Sequence, residues 1–265
     1  MADKLVLTPG GLRPESLVHQ VREGEVLRAV EGVVHRVDPA RESLFTSSRV
    51  ELKHSSTAAL GSGWIADAYW NNGTGNTITS FTTRWTVPPP PATRSGQLIY
   101  LFNGIQNYGS NFGILQPVLQ WGHSPAGGGP IWGIANWYVT SGGQAFHTAL
   151  VEVAPGDLLT GVMTLTGQSG SGFDYASEFA GIGATLSIQN IAELLWANET
   201  LEAYGITRCS DYPPGGVAFT DIGIQTGDVN PTLDWTKDNR ITDCGQNVSV
   251  ISNANPGGEV EIGFG

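Results

Sequence analysis

Short runs of Val, Ile, Thr and aromatic residues, each closed by Gly, Pro, Asn or Ser, recur along most of this chain, and few stretches show helical spacing. Apolar and polar residues alternating with a period of two bury one side of a strand, and Gly and Pro supply the turns between strands. A chain built this way folds into a β-sandwich or a barrel. Its 36 glycines and 15 prolines provide the turns, and 265 residues suit one large all-β domain with or without an extension.

The clearest expected strands are Thr77–Val87, which ends at four consecutive prolines, Leu98–Ile105 and Ile131–Val139. Others are Ala145–Val153, Leu158–Thr166, Phe173–Phe179, Thr185–Ile188, Gly223–Gly227, Val248–Ser252 and Val260–Phe264. Ala192–Tyr204 reads two ways. Its Ala, Leu and Glu favour a helix, whereas pairing in an all-β setting overrides so weak a preference.

Charge divides the chain. Residues 1–53 hold eight Lys and Arg against eight Asp and Glu, so the net charge of -11 belongs to the remainder, with 13−8=5 bases and 24−8=16 acids. The division marks residues 1–53 as an N-terminal extension, 54–63 (HSSTAALGSG) as a linker, and 64–265 as the main domain. The extension reads either as an activation segment lying across an acidic groove or as a constitutive arm adding strands. So acidic a domain lacks the clustered Lys and Arg that phosphate backbones require, which excludes nucleic acid. No apolar run reaches the roughly 18 residues of a membrane span, and no secretory signal is visible at the start.

Conventional catalytic signatures are absent: no G-x-S-x-G elbow, phosphate loop, H-E-x-x-H helix or calcium loop occurs. His123 and His147 read as solvated or packed residues, and no metal or other cofactor is expected. Cys209 and Cys244 lie in turn-rich surroundings, where a disulfide between them is an open alternative to two free thiols. Three N-x-S/T sequons, at Asn72, Asn198 and Asn247, decide nothing.

What remains is a strand within Phe102–Gly122 that interrupts its apolar run with uncharged amides. Gln116, Val118 and Gln120 share one face, and Leu115 and Leu119 the other. By itself this describes either a hydrogen-bonded residue on a half-exposed strand or the lining of a groove.

Several motifs then fall in order. They are Trp85-Thr86-Val87-Pro88, Gly104-Ile105-Gln106, Ile114-Leu115-Gln116-Pro117 and Ala135-Asn136-Trp137-Tyr138, then Pro155-Gly156-Asp157, Trp196-Ala197-Asn198-Glu199-Thr200 and Phe219-Thr220-Asp221-Ile222-Gly223. Taken together, over roughly residues 77–227, they resemble the glutamic peptidases (the eqolisin family). That family has a Val-Pro-Pro strand end, a G-I-D loop, an I-L-Q-T-G strand, a D-A-W-Y-E strand, an A-G-D turn, a W-I-V-E-D-F strand and F-x-D-F-G. The resemblance implies a concanavalin-like antiparallel β-sandwich and an acid endopeptidase made as a precursor. It also implies protein or peptide substrates and a secreted or acidic location; a monomer is expected.

Carried over residue by residue, Gln116 matches the catalytic glutamine. Glu199 matches the catalytic glutamate because Trp196 precedes it by three, and Glu202 is the fallback. Phe102, Gln106, Trp137 and Tyr138 are the substrate-binding candidates. Gln106 replaces the aspartate of the G-I-D loop, Phe102 replaces a Trp, and Ala135 and Val139 replace strand acids, so the groove wall differs from the family pattern. The neprosin-like peptidases share the sandwich but use two glutamates, and Gln116 favours the first family. The chemistry suits the pair. A carboxylate takes a proton from the attacking water, and a neutral amide donates to the developing oxyanion without adding a second charge. Two rivals stand beside this reading: a sandwich that only binds carbohydrate or protein, and a two-carboxylate glycosidase with sugar-stacking aromatics.

Overall fold

The computed structural model describes residues 3–40, 43–45, 63–109 and 112–264. Residues 54–62 of the expected linker and 46–53 of the extension therefore lie outside the described residues.

Among the described residues, the extension forms six short strands: β1 (Leu5–Thr8), β2 (Gly11–Pro14), β3 (Val18–Gln20), β4 (Val26–Val30), β5 (Val33–Asp38) and β6 (Ser43–Phe45). The main domain opens with β7 (Gly63–Asn71), β8 (Ile78–Thr86), β9 (Leu98–Gln106), β10 (Gly113–Ser124) and β11 (Gly127–Thr140). It continues with β12 (Ala145–His147), β13 (Val151–Val153), β14 (Leu158–Ser169), β15 (Gly172–Phe179) and β16 (Ile182–Ile191). The last strands are β17 (Trp196–Tyr204), β18 (Gly216–Thr226), β19 (Thr236–Asn239), β20 (Asn247–Ser252) and β21 (Gly258–Gly263).

These strands make a sandwich. The first sheet runs β19-β7-β17-β9-β10-β11-β12-β3, with β13 also on β11, and the second runs β20-β21-β18-β8-β14-β15-β16-β4-β5-β6. Between them lies one apolar core, to which the first sheet gives Leu101, Ile105, Leu115, Leu119 and Leu201, and the second gives Phe81, Trp85, Leu159, Met163 and Phe219.

The all-β reading holds, and most expected strands appear within a few residues of their bounds. The ambiguous 192–204 segment is strand from Trp196 on, because it sits between β7 and β9 with both sides of its backbone paired. Ala145–Val153 breaks into β12 and β13, which pair with β11 at Trp137–Val139 and Trp132–Ile134. Every residue of β9 is buried, because both of its faces are covered. That is why it reads as a continuous apolar run.

The second cover comes from the extension. On the face of the first sheet turned away from the core, Tyr100, Phe102, Ile114, Val118, Trp137 and Val139 form a smaller apolar cluster, with Leu7 and Val18 packed against it. The hairpin β1–β2 lies on this outer face, and β1 packs against β10. β3 then joins the sheet edge by parallel pairing with β12, and β4 joins the second sheet by parallel pairing with β16. Cys209 and Cys244 form a disulfide that ties the loop after β17 to the loop between β19 and β20.

Candidate active site

Period-two alternation assigns each candidate to a face. Gln116 pairs with Trp137 across β10 and β11, and both belong to the outer face. The flanking pairs Ile114–Gln106 and Val118–Phe102 set Gln116 beside Gly104, which pairs in turn with Asn198 of β17. Asn198, Gly104, Gln116 and Trp137 thus form one row across four strands. Gln116 is 1% exposed, and among the described residues neither its Oε1 nor its Nε2 has a hydrogen-bond partner. Gln106 lies on the same face, opposite Trp196, with its Oε1 also unpartnered among the described residues.

Glu199 points the other way. Its neighbours Ala197 and Leu201 are in the core between the sheets, and its Oε1 accepts a 2.6 Å hydrogen bond from Thr83 Oγ1 of β8 in the second sheet. The structure therefore does not bring Gln116 and Glu199 together: they occupy opposite faces of one sheet. Burial pushes the Glu199 carboxyl well above the usual carboxylate range, and the Thr83 hydrogen bond opposes that only in part.

Glu202 is on the outer face with Gln116. Its carboxylate accepts the Gly10 backbone N–H at 2.8 Å and the Tyr204 hydroxyl. Burial raises its pKa to about 7, against the pull of those two hydrogen bonds and of Arg13 and Arg240. On the adjacent strand Asp67 is likewise buried and raised to about 7, chiefly by desolvation, with Arg240 Nη2 3.3 Å from Oδ1. Arg240 is held in turn by Asp238 at 2.8 Å and by the Trp64 ring, 5.2 Å from its centroid.

The substrate-binding candidates also divide. Phe102 and Trp137 belong to the outer cluster, Phe102 edge-on to Trp64. Tyr138 pairs with Leu115 and lies in the inner core, its ring against Gly113, so it lines no groove. At one end of the outer face Trp64, Tyr69, Trp196 and Tyr108 form an aromatic cluster.

The outer face is strongly curved. On a flat sheet Glu202 and Val139 would stand roughly 24 Å apart, three strands across and six residues along. Yet Gly10, which bonds Glu202, is so near Val139 that a methyl group added to it would lie 3.5 Å from Val139 Cγ1. The Pro9-Gly10 tip therefore reaches from β17 to β11, over the strand that carries Gln116. Gly10 has φ of +85°, which glycine adopts without strain.

Sequence reasoning missed Asn198, Asp67, Arg240 and the tip of the extension. Alternation alone separates Asn198 from Glu199, since Trp196 and Asn198 share a face. Which face is the outer one follows only from pairings distant in sequence.

No protein-family model matches the sequence, and no curated protein matches it. Solved structures share its fold. Scytalido-glutamic peptidase with a peptide-based transition-state analogue aligns at a TM-score of 0.51 and 16% identity, over 76% of this chain and 98% of that one. A second structure of that peptidase, with a transition-state analogue inhibitor, gives 0.51 and 17% over 77% and 98%. SCP-B, described as a member of the eqolisin family of peptidases in complex with the tripeptide Ala-Ile-His, gives 0.49 and 15% over 77% and 98%. The chain has the glutamic-peptidase fold.

Proposed function

We propose that this chain is the precursor of an acid endopeptidase of the glutamic type, in which Gln116 and Glu202 work on the outer face of the first sheet and residues 1–53 are an inhibitory activation segment. One observation carries the reading: in a glutamic-peptidase fold, a buried neutral glutamine and a glutamate share one curved face, and the extension's tip holds the glutamate by a backbone N–H. Glu202 takes the role first given to Glu199, because a carboxylate between the sheets cannot reach a substrate on the outer face.

In the proposed reaction the Glu202 carboxylate accepts a proton from water as its oxygen attacks the peptide carbonyl. It then returns the proton to the leaving nitrogen. The Gln116 amide donates to the carbonyl oxygen as it becomes an oxyanion. Departure of the extension removes the Gly10 and Arg13 partners and lets water reach Glu202. Its pKa then falls from about 7 toward the ordinary carboxylate range, so the base is ionised in weak acid. The disulfide suits an oxidising, secreted setting.

A second reading rests on Asp67 and Glu202, two outer-face carboxylates on neighbouring strands beside aromatic rings, the parts of a glycosidase. Incubating the full-length protein with a denatured protein and with polysaccharides from pH 3 to 7 separates the two. Acid-dependent peptide cleavage, lost in Glu202→Gln and Gln116→Leu but kept in Glu199→Gln, is the expected outcome. An active Glu202→Gln enzyme refutes the assignment, and sugar release without proteolysis favours the glycosidase.

A further inference from the structure

We infer that Asn198 is a second oxyanion donor, acting beside Gln116 across Gly104; the inference rests on the peptidase reading above. Asn198 and Gln116 flank Gly104 in one row of the outer face, on β17 and β10. Gly104 leaves bare backbone between them: a Cβ there would lie 3.0 Å from Asn198 Oδ1 and 3.3 Å from both its Nδ2 and Ile114 Cδ1. Thr200 Oγ1 donates to Asn198 Oδ1 at 2.9 Å, which fixes the amide and leaves Nδ2 as its donor. Nδ2 of Asn198 and Nε2 of Gln116 are both buried, and both are unpartnered among the described residues.

A buried amide donor without an acceptor is destabilising, and a catalytic role is one reason to keep it. Two such donors on one row suit an oxygen that becomes negative only during reaction. In the proposed step the water oxygen bonds to the carbonyl carbon, its proton passes to Glu202, and the carbonyl π electrons settle on the oxygen facing the two amides. Asn198 transfers no proton; it donates one hydrogen bond that strengthens as the charge grows. Neither amide titrates, so the pair works unchanged in acid.

The test uses the full-length protein, acid-activated, with a trace of wild-type enzyme added and then inhibited so that impaired variants are processed equally. Removing one donor of this kind lowers kcat by about 10²–10³-fold. Asn198→Leu is expected to show that loss with little change in KM, and to bind a tetrahedral-analogue peptide correspondingly more weakly. Asn198→Asp adds a readout that a packing role would not move. Its protonated carboxyl can donate, so its kcat relative to wild type should recover as pH falls. Thermal transitions measured at each pH check that both variants are folded. Wild-type kcat in Asn198→Leu overturns the inference, as does an Asn198→Asp deficit that ignores pH. A wild-type protein that cleaves no peptide overturns the peptidase reading and this inference together, whereas an active wild type with an unaffected Asn198→Leu removes the second donor alone.

Discussion

At the scale of single residues, two glutamates three positions apart have opposite environments. Glu199 sits between the sheets with one oxygen on Thr83 and, among the described residues, the other unpartnered, directly opposite Asn103, whose Oδ1 is likewise unpartnered there. A neutral carboxyl suits that place and an ionised one does not. Its folded pKa is raised, so its contribution to stability is complete below the unfolded value near 4.5 and is lost as pH rises through the folded one. Glu199→Gln keeps the Thr83 hydrogen bond and can donate to Asn103. Its melting temperature should therefore fall less than that of wild type between pH 4.5 and 8. Parallel melting curves for the two proteins would show that Glu199 does not carry this pH dependence. The W-x-x-E spacing that drew attention to Glu199 was visible in the sequence. The inward direction of its side chain was also implicit there, in the alternation with Trp196, but choosing the working face needed the register to Gly104 and Gln116.

Among elements, β17 owes its conformation to its neighbours. Ala, Leu and Glu would allow a helix, but β7 and β9 take up its backbone groups on both sides. Alternation made the long strands legible, Thr77–Val87 and Leu98–Ile105 among them. The placement of β3 and β4 in the two sheets was not, because each joins its sheet through a parallel partner more than a hundred residues away, β4 also forming a local hairpin with β5. At the far edge of the first sheet β19 is only four residues long, Arg240 follows it directly, and the Cys209–Cys244 bridge closes a 35-residue separation beside it. Losing such a bridge typically costs about 2–4 kcal/mol. Replacing both cysteines with serine should lower the melting temperature and speed amide exchange first around β19 and β20. Unchanged exchange there would mean that strand pairing alone holds this edge.

For the whole molecule, the described residues 3–40 and 43–45 of the extension expected from the charge split both cover the outer face and add strands to the sheets. Two histidines mark its anchorage. His19 of β3 and His147 of β12 lie close together at the parallel seam, with Arg36 of β5 beside His19 and the Phe146 and Trp137 rings against them. Burial lowers the pKa of both, with Arg36 adding to the effect on His19, and His147 falls to about 4 despite its hydrogen bond to the Thr148 carbonyl. Docking strength from this seam is complete above the free-histidine value near 6.5 and is lost as pH falls toward about 4. Glu202, raised to about 7, acts in the opposite sense and favours docking in acid, so the histidines must outweigh it if acid is to release the extension. Following mass and amide exchange against pH should show release beginning below about 6, and His147→Phe should move the onset to lower pH. An unmoved onset would place the sensor elsewhere. The parallel seams carry one more consequence. If β3 and β4 leave with the proposed activation segment, β12 and β16 become open sheet borders with unsatisfied backbone groups, ready to recruit strands from other molecules. A form processed as proposed should then be stickier than the full-length protein, and light scattering of that form at rising concentration would register the exposed borders as self-association.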